Sequence, residues 1–505
     1  MKRFTLFVSL GIAIVVCVVI GYFLVGKYQL GMIRYFDMDE FAYLNWASHM
    51  TQGFVPYRDF LYQLPPGFLL MLTPIFIFSR SSLSPLTQGR VVAFVIQCLL
   101  IVIIGLIFWR VRKRWTALFA SLFLAFLPLP ADKLLEIRPD TAGVLFAMVG
   151  TLFQIMWMER EKGKIATVFM GISGLFYGLS VFVLQKTVFH VAVAAGIAYI
   201  WALQIKPWFT RVKMLLPFVI GGISPFIPFV FWAVTQHSGS LTWYLLTKFP
   251  SETMYMAKDF YISPWFFFRY TDVYYGKSGW NWGYLLNQII WVVGILMGIV
   301  RFVTPVIPRG KKYVLSELLL SGVFLVQLLT FIYYMPFKHA QYLIPLAVFV
   351  ALYAADFIDV VWQRMTRSAI ILGVGTSLLL VLVGLLIQGY RDVNDIKMNW
   401  TNTHEKQTLQ TMLDTIPRNE YVFDLVGLSL YYPQPYYVSC LPVGQFSRYI
   451  SLQLPSLRDT LERTKTRYIY QGNAKRLTTL LPEDQAYISA HYIPVGDGSL
   501  LQRGK

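Results

Sequence analysis

The sequence predicts an all-α polytopic membrane protein of about 11 transmembrane helices with a small α/β module at its carboxyl end. Three observations carry this. Of 505 residues, 56% are hydrophobic and only 14% charged, where a water-soluble domain has about a quarter charged. Apolar runs of roughly 20 residues, almost free of charge, recur before residue 390, each able to cross ~30 Å of hydrocarbon. Charge is also unevenly placed. The chain carries +18, but residues 390–505 hold 13 Lys+Arg and 11 Asp+Glu, leaving +16 for the membrane part.

That excess gathers in short links between apolar runs: Arg110-Val111-Arg112-Lys113-Arg114, Arg160 to Lys164, Lys206 to Lys213, Arg309 to Lys312, and Arg364 with Arg367. Alternate connections carry the clusters, the positive-inside pattern of a cytoplasmic face. No basic patch interleaved with aromatics marks a soluble module, so a nucleic-acid partner is excluded. Cys17 and Cys98 sit in apolar runs and Cys440 stands alone, so no disulfide framework is expected.

In chain order, Lys2 and Arg3 precede an apolar run at 4–25. It is too long for a signal peptide and lacks a small-residue cleavage site, which predicts an uncleaved helix with a cytoplasmic amino terminus. The next run is 86–109, and the basic link follows it, so the segment 26–85 is an outer loop. Within it, 67–78 is apolar but too short to span comfortably and is punctuated by Pro65, Pro66 and Pro74; an interfacial or re-entrant helix fits. Further spans are expected near 116–131, 141–158, 165–184, 188–204, 214–235, 283–303, 314–334, 341–361 and 369–389. The odd total puts 390–505 opposite the amino terminus. Acids agree: Asp37, Asp39, Glu40, Asp59, Asp132, Glu136, Asp140, Glu252, Asp259 and Asp272 all fall in outer loops. The expected domains are a transmembrane unit, 1–389, and an extracytoplasmic unit, 390–505, in the inner (plasma) membrane of a cell.

In that last unit, Asn402-Thr403-His404-Glu405 resembles a capping box opening a helix that Pro417 ends. Strands are expected at Tyr421-Val422-Phe423, Tyr436-Tyr437-Val438 and Arg467-Tyr468-Ile469-Tyr470. No nucleotide-binding glycine motif, HxxH, CxxC or nucleophile elbow is present in it.

The richest chemistry lies just past the first helix, in Asp37-Met38-Asp39-Glu40-Phe41-Ala42-Tyr43-Leu44-Asn45-Trp46. Crowded carboxylates raise one another's proton affinity, which suits a proton acceptor. The trio Asp37, Asp39 and Glu40 also suits an optional divalent cation, and equally a plain acidic helix start. Glu136-Ile137-Arg138-Pro139-Asp140 opens a later helix with a first-turn Pro and Asp; Arg138 offers a donor fork for phosphate, or the group simply caps. Lys186, in Gln185-Lys186-Thr187, breaks two apolar runs, and a buried ammonium there needs a partner or ligand. His190 reads as a hydrogen-bonded histidine. Lys338-His339-Ala340-Gln341-Tyr342 is another outer turn, cationic and aromatic, that also suits an interfacial anchor. All four motifs map to one membrane face.

Together these motifs resemble the GT-C class of integral membrane glycosyltransferases. The acidic pair Asp39-Glu40 followed by Tyr43 and Trp46 is similar to the first-loop motif of glycosyltransferase family 39 relatives. These include protein O-mannosyltransferases, the lipid A aminoarabinose transferase and bacterial lipopolysaccharide-core transferases. Arg138-Pro139-Asp140, then Gly174-Leu175, Gly178-Leu179 and Lys186, then His339 to Leu346, recur in the order such proteins show. The resemblance covers about 1–390, and the tail is similar to a periplasmic module of some relatives. It implies transfer of a sugar, with inversion, from a polyprenyl-phosphate donor to a lipid, glycan or protein acceptor outside the cytoplasm. Under it Asp39 is the general base and Glu40 orients it or holds a metal. Arg138, Lys186, Lys338 and His339 hold the donor phosphate, and Asp37, Tyr43, Asp140 and Tyr342 contact substrate. Relatives often carry Arg where Gln341 stands. The competing reading is a secondary transporter or flippase of envelope lipids or sugars, which would show internal repeats and midplane charges; no clear repeat is visible.

Overall fold

The computed structural model describes residues 2–79, 82–160, 163–203, 208–258, 261–276, 280–304, 311–335, 338–366, 368–472 and 474–504. Lys162, Lys206, Asp259, Arg309, Arg367 and Lys505 lie outside the described residues. The helices run α1 (Lys2–Ile33), α2 (Met38–Thr51), α3 (Gly67–Phe78), α4 (Ser84–Arg112), α5 (Ala117–Phe126), α6 (Pro128–Leu134), α7 (Pro139–Met158), α8 (Lys164–Val183), α9 (Val188–Leu203), α10 (Trp208–Ile223) and α11 (Phe226–Thr235). Three short turns follow, α12 (Gly239–Trp243), α13 (Phe249–Thr253) and α14 (Asp272–Tyr275). The long helices resume with α15 (Trp282–Val303), α16 (Lys311–Leu329), α17 (Ile344–Met365) and α18 (Ala369–Asn394).

Among the described residues, nine helices are long and apolar enough to cross a membrane, and two bent pairs raise this to 11. The expected count therefore stands, with two spans broken. The run at 116–131 is α5 and α6 bent by 73°, and that at 214–235 is α10 and α11 bent by 45°. Proline explains both: Pro128 opens α6 and Pro225 precedes α11, where a missing N–H and the ring's clash end a helix. The short apolar helix expected at 67–78 forms as α3.

Burial sorts the bundle. In α7 and α17, 72% of the apolar window is buried, against 28% in α1 and α18, so the first pair lies at the centre and the second faces lipid. Gly174 and Gly178 of α8 lie against the backbone of Phe218 and Gly222 in α10, leaving no room for a Cβ; small residues let spans approach closely. At the carboxyl end of α4, Arg112 is no free link charge. It pairs with Glu317 at 2.6 Å and Asp356 at 2.6 Å, and Arg301 closes on Asp356 at 2.5 Å.

The C-terminal unit contains α19 (Thr403–Thr415), β1 (Val422–Asp424), α20 (Val443–Phe446), α21 (Leu457–Arg463), β2 (Tyr468–Tyr470), α22 (Ala474–Leu477), α23 (Pro482–His491), β3 (Tyr492–Val495) and β4 (Leu500–Arg503). The sheet order is β1-β2-β4-β3. β1 is parallel to β2 with Phe423 opposite Ile469, and β4 runs antiparallel between β2 and β3. Two expectations fail. Tyr436-Tyr437-Val438 makes no strand, because its backbone serves the first loop instead: Leu61 N–H donates to Tyr437 O at 2.8 Å. The helix at Thr403 forms, but Asn402 does not cap it through its side chain; its amide donates to Met32 O at 2.8 Å and Arg34 O at 3.1 Å, tying the unit to the end of α1.

The unit also sits on α2. Asn45 donates to Ser429 O at 3.2 Å and the His49 Nε2 lies 3.1 Å from Tyr432 O. Gly427, at φ +102°, brings its Cα face against Ala42 N, where a Cβ would stand 2.9 Å away. The buried Asp424 carboxylate accepts from Val426, Gly427 and Ser429 N–H groups and holds this loop in shape.

Candidate functional site

The acidic stretch begins as a helix cap. Asp37 is the N-cap of α2, accepting from Asp39 N–H at 3.0 Å, while Glu40 accepts from Asp37 N–H at 2.9 Å. This capping box gives three neighbouring acids three different fates.

Glu40 is fully buried. Arg90 of α4 meets both its oxygens, Nε at 2.5 Å and Nη2 at 2.6 Å, and Ile137 N–H donates to it at 3.0 Å. Arg90 also donates to Gly31 O and Tyr35 O and lies over the Phe36 ring. Glu40 thus braces α1, α2, α4 and the start of α7, with both oxygens occupied.

Asp37 is engaged as well: Oδ1 takes Arg138 Nη2 at 3.0 Å and Oδ2 takes Lys133 Nζ at 3.0 Å. Burial alone would raise its pKa, but Arg138 and Lys133 hold its carboxyl far below the usual range. The expected mutual repulsion of the acids is overridden, since Arg34, Lys133 and Arg138 interleave with Asp37, Asp39 and Glu136.

Asp39 differs. Its Oδ2 lies 2.8 Å from Arg138 Nη1, yet its side chain is 45% exposed and Oδ1 has no partner among the described residues. It is an oriented carboxylate with one open oxygen. Tyr43, one turn on, packs edge-on to Trp46 and Phe68; burial and then the charge of Asp39 push its phenol well up.

Arg138, the extended N-cap of α7, is 5% exposed. Its Nε, Nη2 and Nη1 meet Glu136, Asp37 and Asp39 in turn, so it orients Asp39 with three of the five donors of its fork. Asp140 follows in the first turn of α7, buried, and lines a narrow pocket with Lys186, Thr187, His190, Thr330 and Tyr342. The pocket measures about 30 Å³, room for ~2 waters. Lys186 stands in the turn between α8 and α9, its ammonium 3.6 Å from the Tyr342 ring centre. No acid pairs with it among the described residues. His339 packs edge-on to Tyr342, and its charged neighbours are Lys186, Asp39, Arg138 and Lys133. Lys338 is set apart: its ammonium donates to Met335 O, in the pocket wall, and faces the Phe331 ring. His190 closes the base of the pocket with Nε2 2.8 Å from Thr151 Oγ1, as a hydrogen-bonded histidine should.

Asp39, Asp140, Lys186, His339 and Tyr342 therefore converge at one end of the bundle, while Glu40 and Arg138 stand behind Asp39. Sequence reading missed Arg90 and Lys133, which have no local signature, and Arg476 of α22. Arg476 Nη1 donates to Cys440 O at 3.1 Å and to Leu425 O, and among the acids the charge of Asp39 acts on it most. The optional divalent cation has one open carboxylate oxygen to approach here. Asp37 and Glu40 have both oxygens committed, leaving Asp39 Oδ1 alone, and no cluster of metal-ligating side chains occurs among the described residues.

No protein-family model matches the chain, and no curated protein sequence matches it. Solved structures match it in fold. ArnT from Cupriavidus metallidurans bound to undecaprenyl phosphate superposes with a TM-score of 0.61 at 13% identity, covering 96% of this chain and 97% of that one. The Archaeoglobus fulgidus oligosaccharyltransferase in complex with Zn and sulfate gives 0.54 at 12% identity, covering 94% of this chain and 71% of that one. The architecture is the GT-C fold that the resemblance implied.

Proposed function

We propose that the chain is a membrane glycosyltransferase that moves a sugar from a polyprenyl-phosphate donor to a lipid, glycan or protein acceptor outside the cytoplasm. One observation carries the reading: Asp39 keeps an open, oriented oxygen at the same bundle end as an unpaired Lys186 beside a pocket. Similar structures support the substrate class, since one holds undecaprenyl phosphate and another a tethered acceptor peptide.

In this mechanism the acceptor hydroxyl approaches Asp39 Oδ1, which takes its proton as the oxygen attacks the anomeric carbon. The bond from that carbon to the carrier phosphate breaks, and the electron pair leaves with polyprenyl phosphate. Attack opposite the leaving group inverts the anomeric centre. Lys186, aided by the nearby His339, offsets the charge growing on the leaving phosphate; such charge-assisted contacts are strong in a dry site. Arg138 aims the carboxylate, while Tyr342 fixes the ammonium. Asp140, Tyr43 and Asp37 shape the surroundings, and Glu40 holds the helix start from which Asp39 projects.

The test is direct. Purified full-length protein is mixed with a membrane lipid extract, and polyprenyl-linked sugars are followed by mass spectrometry. One donor should fall as free polyprenyl phosphate rises. Uptake of an intact lipid or sugar into vesicles, with no donor consumed, would favour the transporter reading instead.

A further inference from the structure

A second hollow lies away from the pocket beside Lys186 and shares no residue with it. It is a groove of about 720 Å³ between α2, α3 and the C-terminal unit. α3 lines it with Leu70, Thr73, Phe76 and Ile77, and Thr51 of α2 and Arg418 of the C-terminal unit line it as well. No carboxylate lines it. Arg418 forms no ion pair among the described residues; its guanidinium lies 5.4 Å from the Tyr431 ring centre. That ring is itself fixed, because Tyr431 OH donates to Ser82 O at 2.7 Å, beyond the end of α3.

The setting of α3 says what this groove meets. Its 12 residues reach only ~18 Å, too short for a hydrocarbon core of roughly 30 Å. It lies between the ends of two spans and under the C-terminal unit. Leu70 is 47% exposed, Ile77 56% and Phe78 85%, a solvent cost that acyl chains remove. The apolar residues of α3 therefore belong at the bilayer boundary, with the unpaired cation of Arg418 beside them for a headgroup. We propose that this groove binds an anionic phospholipid of the surrounding leaflet, its headgroup at Arg418 and its chains along α3. The assignment is independent of the transfer reaction.

The full chain is reconstituted in nanodiscs with diazirine-tagged phosphatidylglycerol or phosphatidylcholine, irradiated, and its crosslinked peptides mapped. Phosphatidylglycerol should label residues 67–79 more than phosphatidylcholine does. Arg418→Gln, at an exposed position, should cut that labelling about fivefold and leave labelling of α1 unchanged. Thr73→Trp, which fills the groove, should do the same. Equal labelling by both lipids, labelling indifferent to Arg418→Gln, or an unlabelled groove covered by protein would each overturn the proposal.

Discussion

Replacing Arg90 by Met would strip Glu40 of both charged donors while leaving its carboxylate where no water reaches it. Glu40 is fully buried and Arg90 1% exposed, and the contact is two-pronged at 2.5 and 2.6 Å. Removing one partner of such a buried pair costs about 3–5 kcal/mol, because the remaining charge is uncompensated. Gly31 O and Tyr35 O would also lose a donor, so the upper end applies. Glu40→Gln exposes Arg90 to the mirror-image penalty. The double variant Glu40→Met with Arg90→Met should cost no more than either single change, since no lone charge remains. Unfolding in mixed micelles, read by tryptophan fluorescence, gives the three values and their coupling. Stability within ~0.5 kcal/mol of the parent in both single variants would refute the brace. A normally stable Glu40→Gln with no turnover would return Glu40 to the chemistry.

Three further outcomes are expected. Lys186→Met should weaken binding of undecaprenyl phosphate about 10–100-fold, the worth of a hydrogen bond to a charged group, measured by microscale thermophoresis; unchanged affinity would move the phosphate elsewhere. Exhaustive chelation should leave transfer intact, and loss restored by added Mg²⁺ or Mn²⁺ would place a metal at the open oxygen of Asp39. His49, buried against the C-terminal unit, has its pKa lowered from 6.5 to about 4 by burial, with the Tyr432 carbonyl opposing. A depressed pKa means the folded state refuses a proton the unfolded state accepts. Its contribution is therefore whole above pH 6.5 and lost as pH falls towards 4, about 3 kcal/mol in all. Apparent melting midpoints across that window should fall less steeply in His49→Gln, and parallel curves would refute the assignment.

The spans were legible because a bilayer demands long apolar runs, and the breaks at 127 and 225 were not, because proline's effect depends on what it packs against. Within the site, the stretch from Asp37 to Glu40 announced chemistry, but could not say which acid stays open. That is decided by Arg90, Lys133 and Arg138, which lie 50 to 101 residues downstream of their acids. Local crowding suggested repulsion; the folded chain supplies a cation for each acid. Tyr436 to Val438 looked like a strand by composition, yet its backbone bonds were claimed by the first loop. For Arg138 the donor fork was legible and its three acidic partners were not: donors are visible in a sequence, and their partners are not.

The central claim is that Asp39 accepts the acceptor's proton, and Asp39→Asn tests it most directly. The substitution keeps the side chain's size and its contact with Arg138 while removing the basic oxygen. General-base help is worth about 10²–10⁴ in rate, roughly 3–5.5 kcal/mol. Turnover of the polyprenyl-phosphate sugar in nanodiscs should fall by that range, and undecaprenyl phosphate should still bind, because Lys186 and Tyr342 are untouched. A folded Asp39→Asn protein that transfers sugar at the parent rate would contradict the account.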